Sequence, residues 1–432
     1  MRKNIMAAVA LILVLVMGLS GCGFSPKIIP PSTEQNEEVP SAAEDTSFKV
    51  GFIFANDTGS TSTIARVEGL RKMQVQTGLT DSQVVMKSNV KKADVESVVE
   101  KMVERGCKLI FSCDAAFEEP IYVCAQKYTD VQFCQEDGQY ASQVNLNNFH
   151  SYYSRIFEAY YVAGAVLGIK IVDLLNTGRA TTDKCRLGFV ASDQTPEAIT
   201  AFTAFYQGVH SVTKVPTMYV RYVGRSGVYD KDGEAAKQLA AAGVVAMSQF
   251  TSTKAVAAVC AESGIFYAGS EVNMIDQAPK VALCSAITDY SVYYKYAVDA
   301  CVKGEAIDTD WVQGYAEGVN MISQLNDKHV ADDTQLYVQL LEKKLRKGKV
   351  KIFDTKEMFV GGESLYSLID GKTKDYKKFR KYLKKNGSYE ESSENSKPIF
   401  DVMIDGIEES TYDYLTEKEA EEAAAKQPDY EE

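Results

Sequence analysis

The sequence predicts an α/β protein of two lobes, each a parallel sheet covered by helices on both faces. Three observations carry this prediction. Short apolar runs without two-residue alternation recur along the chain, as in Phe48-Lys49-Val50-Gly51-Phe52-Ile53-Phe54 and Leu187-Gly188-Phe189-Val190-Ala191. Strands buried on both faces read this way, whereas half-exposed strands alternate. Helical segments separate these runs, the pattern of a parallel sheet. The alternation stops once, at a long helix of about Tyr152 to Leu175, and then resumes, so there are two strand–helix blocks.

The chain opens with Arg2 and Lys3, an apolar run from Ile5 to Val16, and Leu19-Ser20-Gly21-Cys22. A positive start, a short apolar stretch and small residues before a cleavage point read as a secretory signal. Small residues directly before a cysteine make residues 1–22 a lipoprotein signal, with Cys22 lipidated and placed on the outer side of a bacterial membrane. Residues 23–46, rich in Pro, Ser, Thr and Glu and without an apolar period, read as a flexible tether.

The first block, residues 47–150, has strands at Phe48–Phe54, Val84–Met86, Lys108–Ser112 and Val131–Cys134, and a further strand near Val144-Asn145-Leu146. A helix between the second and third strands places Val95, Val98, Val99, Met102 and Val103 on one face, with Asp94 before it and Gly106 after it. In the long helix, Ala163-Gly164-Ala165 and Gly168 are small enough for close helix packing. The second block, residues 151–289, has strands at Leu187–Ala191, Met218–Val223, Val244–Met247, Phe266–Gly269 and Val281–Cys284. Part of 290–350 is expected to return to the first lobe. A C-terminal extension follows at 350–407, with a strand expected at Val350–Phe353, and then an acidic tail at 408–432. The basic run Asp370 to Lys385 reads as a solvated face.

Ligands of parallel α/β sheets bind at the carboxyl ends of strands. In the first block those ends carry Asp57, Asp114 and Glu136-Asp137-Gly138; in the second they carry Tyr229-Asp230, Gln249-Phe250 and Ser270-Glu271-Val272-Asn273. The candidate ligand-binding residues are therefore Asp57, Asp114, Asp137, Tyr229, Asp230, Phe250, Glu271 and Asn273. The formal net charge of −12 argues against nucleic acid as a partner. His150, His210 and His329 stand far apart, and the chain has no Cys-x-x-Cys, Gly-x-Ser-x-Gly or Walker motif. Neither a metal site, a cofactor nor a catalytic group is expected. The eight cysteines after Cys22 are scattered singly in apolar segments and read as small buried hydrophobes.

Several stretches, in order, resemble the basic membrane protein family of substrate-binding lipoproteins (PnrA-like). They are Phe48–Phe54 with its polar loop and Val67-Glu68-Gly69-Leu70, Tyr128-Thr129-Asp130-Val131-Gln132-Phe133 with Glu136-Asp137-Gly138, and Phe157–Gly164. Further on come Leu187–Ala191, Ala204–Val209 and, near the end, Ile399–Ile407; the likeness spans about residues 48–407. The resemblance implies a type I periplasmic-binding-protein fold closing by a hinge, a nucleoside as ligand, and an ABC permease and ATPase on separate chains. It also implies ligand roles for Asp57, Asp137, an aromatic-Asp pair at Tyr229-Asp230, and Glu271 with Asn273. This chain departs from the family pattern at Ser60-Thr61-Ser62-Thr63, where members carry an aromatic, and at Thr288, where many carry a lysine. Phe250, in a loop that replaces a glycine-rich one, is open to two readings, a second aromatic face for the ligand or a core or hinge residue. A receptor for another small polar ligand, such as a sugar or autoinducer, and a surface-binding protein without transport are the alternatives the residues leave open.

Overall fold

The computed structural model describes residues 48–411, apart from 215, 225–226, 372 and 393–396. The expected signal with Cys22, the tether before residue 48 and the tail after residue 411 lie outside the described residues. In chain order come β1 (Lys49–Ile53), α1 (Thr61–Thr77), β2 (Val84–Lys87), α2 (Val95–Glu104), β3 (Cys107–Ser112), α3 (Glu118–Lys127), β4 (Gln132–Glu136) and β5 (Phe149–Ser154). The second block holds α4 (Phe157–Asn176), β6 (Arg186–Ala191), α5 (Pro196–His210), β7 (Thr217–Tyr222), α6 (Tyr229–Ala241), β8 (Ala246–Phe250), α7 (Ala255–Ser263), β9 (Phe266–Ser270) and β10 (Ala282–Thr288). Then follow α8 (Ser291–Lys303), β11 (Asp310–Gln313), β12 (Asn320–Ile322) and α9 (Thr334–Leu345). The hairpin β13 (Phe359–Val360) and β14 (Glu363–Ser364), α10 (Leu365–Asp370) and β15 (Ile407–Thr411) complete the set.

The first lobe's sheet runs β11-β5-β4-β3-β1-β2, every neighbour parallel. The second runs β12-β10-β9-β8-β6-β7-β15, parallel except for the antiparallel pair β10–β12. This is the two-lobed α/β architecture the alternation predicts. The chain passes between the sheets after β5, after β10 and after β11.

Why the strands read as unbroken apolar runs is visible in their burial. Val50, Phe52 and Ile53 of β1 are all fully covered, by helices of both layers. In the second lobe α4 packs directly on α5, because Gly164 and Gly208 let the backbones touch. A Cβ at Gly164 would lie 2.1 Å from the Phe205 carbonyl oxygen, and one at Gly208 would lie 2.0 Å from that of Tyr161. The eight cysteines among the described residues are free, seven of them buried. Burial pushes the Cys113 thiol up to about 12, so it stays protonated and behaves as a small apolar group.

Two expectations are corrected, and a third, the solvated face of the basic run, holds for its lysines while its aromatics turn inward. The strand placed near Val144 forms instead as β5, at Phe149–Ser154, and extends the first lobe's sheet beyond residue 150. Its buried His150 and Ser151 disguise it: the ring nitrogens of His150 find Gln132 Oε1 at 2.8 Å and Asp308 O at 3.2 Å, so a polar residue is satisfied inside. Val350–Phe353 is not a strand; Phe353 is buried against Phe157, Tyr389 and Phe400. The basic run winds as a 3-10 helix over Lys374–Tyr382, burying Phe379 and Tyr382 in the second lobe's core while its lysines face outward.

Candidate functional site

The carboxyl ends of β1, β3 and β4 face those of β6, β8 and β9 across a cavity of about 340 Å³. From the first lobe Phe54, Arg66, Asp114, Glu136 and Asp137 line it; from the second come Tyr160, Glu197, Phe250, Ser270 and Glu271. Asp114 follows β3 and caps the turn that leads into α3, accepting from Ala116 N at 2.9 Å. Asp137 follows β4 with φ 52°, and Glu271 follows β9 with φ 67°. Both therefore hold the left-handed backbone that side chains with a Cβ avoid, and both are tied down: Asp137 N donates to Tyr152 O at 2.8 Å, and Glu271 N to Ala286 O at 2.9 Å. Such residues cost about 1–3 kcal/mol each and concentrate at ligand sites.

The floor of the cavity is an ion cluster around Arg66, one turn into α1. Its Nε and Nη2 donate to the two oxygens of Glu136 at 2.8 and 2.6 Å, and Nη1 donates to Ser62 O at 2.9 Å. The same guanidinium lies 3.6 Å from Glu271 of the other lobe and stacks 4.6 Å from the centre of the Tyr290 ring. Burial raises Asp114, with the Ala116 hydrogen bond and Arg66 opposing. Burial, then Glu136 and Glu197, hold Asp137 well above the usual carboxylate range. Burial also raises Glu271, against the pull of Arg66.

A second set of contacts joins the lobes at the mouth. Thr61 N, at the start of α1, donates to Ser252 O at 2.9 Å. The loop carrying Ser252 is rigid because Gln249 Nε2 donates to Thr251 O and Thr253 O at 3.0 and 2.9 Å. Gln249 is itself fixed by the hydroxyls of Tyr267 and Tyr160, at 2.5 and 2.8 Å.

Of the residues singled out in the sequence, Asp114, Asp137, Phe250 and Glu271 come together in this cavity. Asp57 and Tyr229 line an adjoining one of about 430 Å³ with Asn56, Ser60 and Lys254. Asp57 spends one oxygen on its own loop, accepting from Gly59 N and Ser60 N at 2.8 and 3.1 Å. Tyr229 begins α6 and is 54% exposed at the rim. Asp230 points to solvent in the first turn of α6 and lines neither space. Asn273 faces a separate hollow beside Lys72 and Asp289, its Oδ1 accepting from Ile275 N. Sequence reasoning missed Arg66, Tyr160 and Glu197, and placed Ser270 at a strand end without taking it as a candidate. For Arg66 the available signal is an arginine at four residues from Ser62 on a helix that follows a strand-end loop; nothing marks Tyr160 or Glu197.

Comparisons with known proteins agree with the fold. A family model described as ABC transporter substrate-binding protein PnrA-like matches residues 50–358. A purine-binding protein of Brucella abortus (strain 2308) is 26% identical over 331 residues, which are 75% of this chain and 90% of the relative. A solute-binding protein of an ABC transporter system from Aeropyrum pernix K1 superposes with a TM-score of 0.60 at 18% identity, over 70% of this chain and 92% of that one. A transcriptional activator of the comK gene from Bacillus halodurans superposes with a TM-score of 0.56 at 19% identity, over 69% and 98%. At those identities the two structures speak to the fold alone.

Proposed function

We propose, from the premise that this chain belongs to the PnrA-like family of ABC transporter substrate-binding proteins, that its interlobe cavity binds a purine nucleoside and that Cys22 anchors it by lipid. The family and the fold are those of a binding protein, not an enzyme. The observation that carries the nucleoside reading is the lining itself: aromatic faces beside strained carboxylates. Phe250 stands on one wall with its ring 6.1 Å from that of Tyr160, and a base can stack there. Asp114, Asp137 and Glu271 offer acceptors for ribose hydroxyls and base N–H groups. The purine-binding relative supports the choice of base.

A receptor that hands its ligand to a permease needs two states whose balance the ligand shifts, and only differential affinity drives that shift. Here the ligand would touch Asp114 and Asp137 on one lobe and Phe250 and Glu271 on the other, so it favours the closed form in which Arg66 meets Glu271 and Thr61 meets Ser252.

Calorimetry with adenosine, guanosine and inosine tests the ligand. Phe250→Ala is expected to weaken the bound nucleoside by about 1–3 kcal/mol, the range for losing one stacking face, and Tyr229→Ala, out on the rim, by less than about 0.5 kcal/mol. Failure of all three at about 1 mM to bind or raise the melting temperature would defeat the nucleoside reading. The anchor rests on Leu19-Ser20-Gly21-Cys22. Cys22→Ala is expected to leave unprocessed precursor or to release the protein from membranes, and mass spectrometry showing an unmodified Cys22 in native protein would refute the anchor.

A further inference from the structure

The charge around the interlobe cavity is out of balance. Asp114, Glu136, Asp137, Asp193, Glu197 and Glu271 line it, against Arg66. That arginine is spent, because its guanidinium is committed to Glu136 and to Ser62 O. Lys397, from the C-terminal part of the chain, adds one cation, with Nζ 3.8 Å from Glu197 Oε1. Six carboxyl groups against two cations leave a formal surplus of four negative charges around about 340 Å³, a crowding that goes with the raised Asp114, Asp137 and Glu271. The positive end of α5 does not change this, since Glu197 already occupies its first turn.

We infer that the ligand of this cavity carries a protonated amine, held between Asp137 of the first lobe and Glu197 of the second, beside the ring and hydroxyl groups of a nucleoside-like molecule. The inference rests on reading the cavity as the ligand site. Neutral hydroxyls donate to carboxylates but leave the like charges facing one another. An ammonium donates charge-assisted hydrogen bonds and cancels part of the surplus as well. A phosphate would add to it. The titration of Asp137 reflects the same crowding: burial comes first, then Glu136 and Glu197, opposed by Arg66 and Lys397.

Calorimetry on the full chain with two sets of probes tests this. One set is adenosine, 5′-amino-5′-deoxyadenosine and adenosine 5′-monophosphate; the other is glucose, glucosamine and glucose 6-phosphate. Within a set that binds, the amine is expected to bind at least about tenfold more tightly than the neutral member, and the phosphate not detectably. Equal or tighter binding of the neutral or phosphorylated member overturns the inference. Glucosamine binding without any adenosine probe would remove the nucleoside reading and leave the amine standing.

Thermal melts of Asp137→Asn near pH 8 and near pH 5 give a measurement that needs no ligand. A carboxyl whose folded pKa is raised costs stability as pH climbs from its unfolded value, about 3.9, through the folded one. The variant is therefore expected to gain melting temperature near pH 8 and less near pH 5. Asparagine also suits the φ of 52°, but that benefit does not depend on pH. No gain near pH 8, or an equal gain at both, overturns the inference, and so does the failure of all six probes to bind.

Discussion

Replacing Arg66 by methionine removes the guanidinium at the cavity floor while keeping an unbranched apolar stem of similar reach. The loss can be sized from its partners. Two charge-assisted hydrogen bonds, at 2.8 and 2.6 Å, go to Glu136, a residue 5% exposed, and the Arg66 side chain is itself only 13% exposed. Without Arg66, Glu136 is a buried carboxylate beside Asp137 and near Glu271. Breaking a buried pair by deleting one member costs about 3–5 kcal/mol, because the remaining charge is uncompensated. Urea unfolding near pH 7 should therefore show Arg66→Met less stable by about that amount. Adding Glu136→Gln should restore at least half of it, since the orphaned charge is the main penalty. Arg66→Met within about 1 kcal/mol of the parent, or a double variant showing the plain sum of the two single losses, would refute the assignment of Arg66 as the compensating charge of the cleft.

Two other sites give separate checks. Burial lowers His150 to about 4, below its ordinary 6.5. Its neutral form is favoured by the fold, so stability should fall as pH drops from about 6.5 toward 4, by up to about 3 kcal/mol, and His150→Gln should flatten that part of a urea-unfolding profile; an unchanged profile would place the pH dependence elsewhere. Gly208→Ala forces a methyl to within 2.0 Å of the Tyr161 oxygen, so α4 and α5 must separate. Unfolding should show a loss of about 1–3 kcal/mol or more, and a variant as stable as the parent would mean the helices are not in backbone contact.

The fold was legible because burial on both sheet faces writes itself as local composition. β1, β3 and β6 stand where apolar runs stand, and the small residues of the long helix signalled a close helix contact, which the structure makes with α5. What escaped was polarity satisfied at a distance. β5 hides His150 and Ser151 in its interior, so it does not read as a buried strand. Arg66 looks like any helix-surface arginine, because its partners Glu136 and Glu271 are remote in sequence. Tyr229 was placed by its likeness to an aromatic-Asp pair, yet the residue that starts α6 is carried to the rim, and Phe250 at the end of β8 takes the inner wall.

The C-terminal part shows why the family pattern alone would miss something of this cleft. Matching stops at residue 358, but the chain goes on to bury Leu365, Phe379, Tyr389 and Phe400 in the same core as α4 and α5, and β15 adds itself to the edge strand β7. Phe400 is pinned there: its carbonyl accepts from Thr200 of α5 at 3.2 Å, and its N–H donates to the buried Glu391 at 2.8 Å. Three residues before Phe400, Lys397 reaches Glu197 in the first turn of α5, at the cavity wall. The extension is thus both a covering of the second lobe and a source of charge at the interlobe cavity. Asp137, on the facing lobe, feels Lys397 and Glu197 together. Closing the lobes brings an acid of one against an acid and a lysine of the other, so the energy of closure depends on the charge of whatever lies between them.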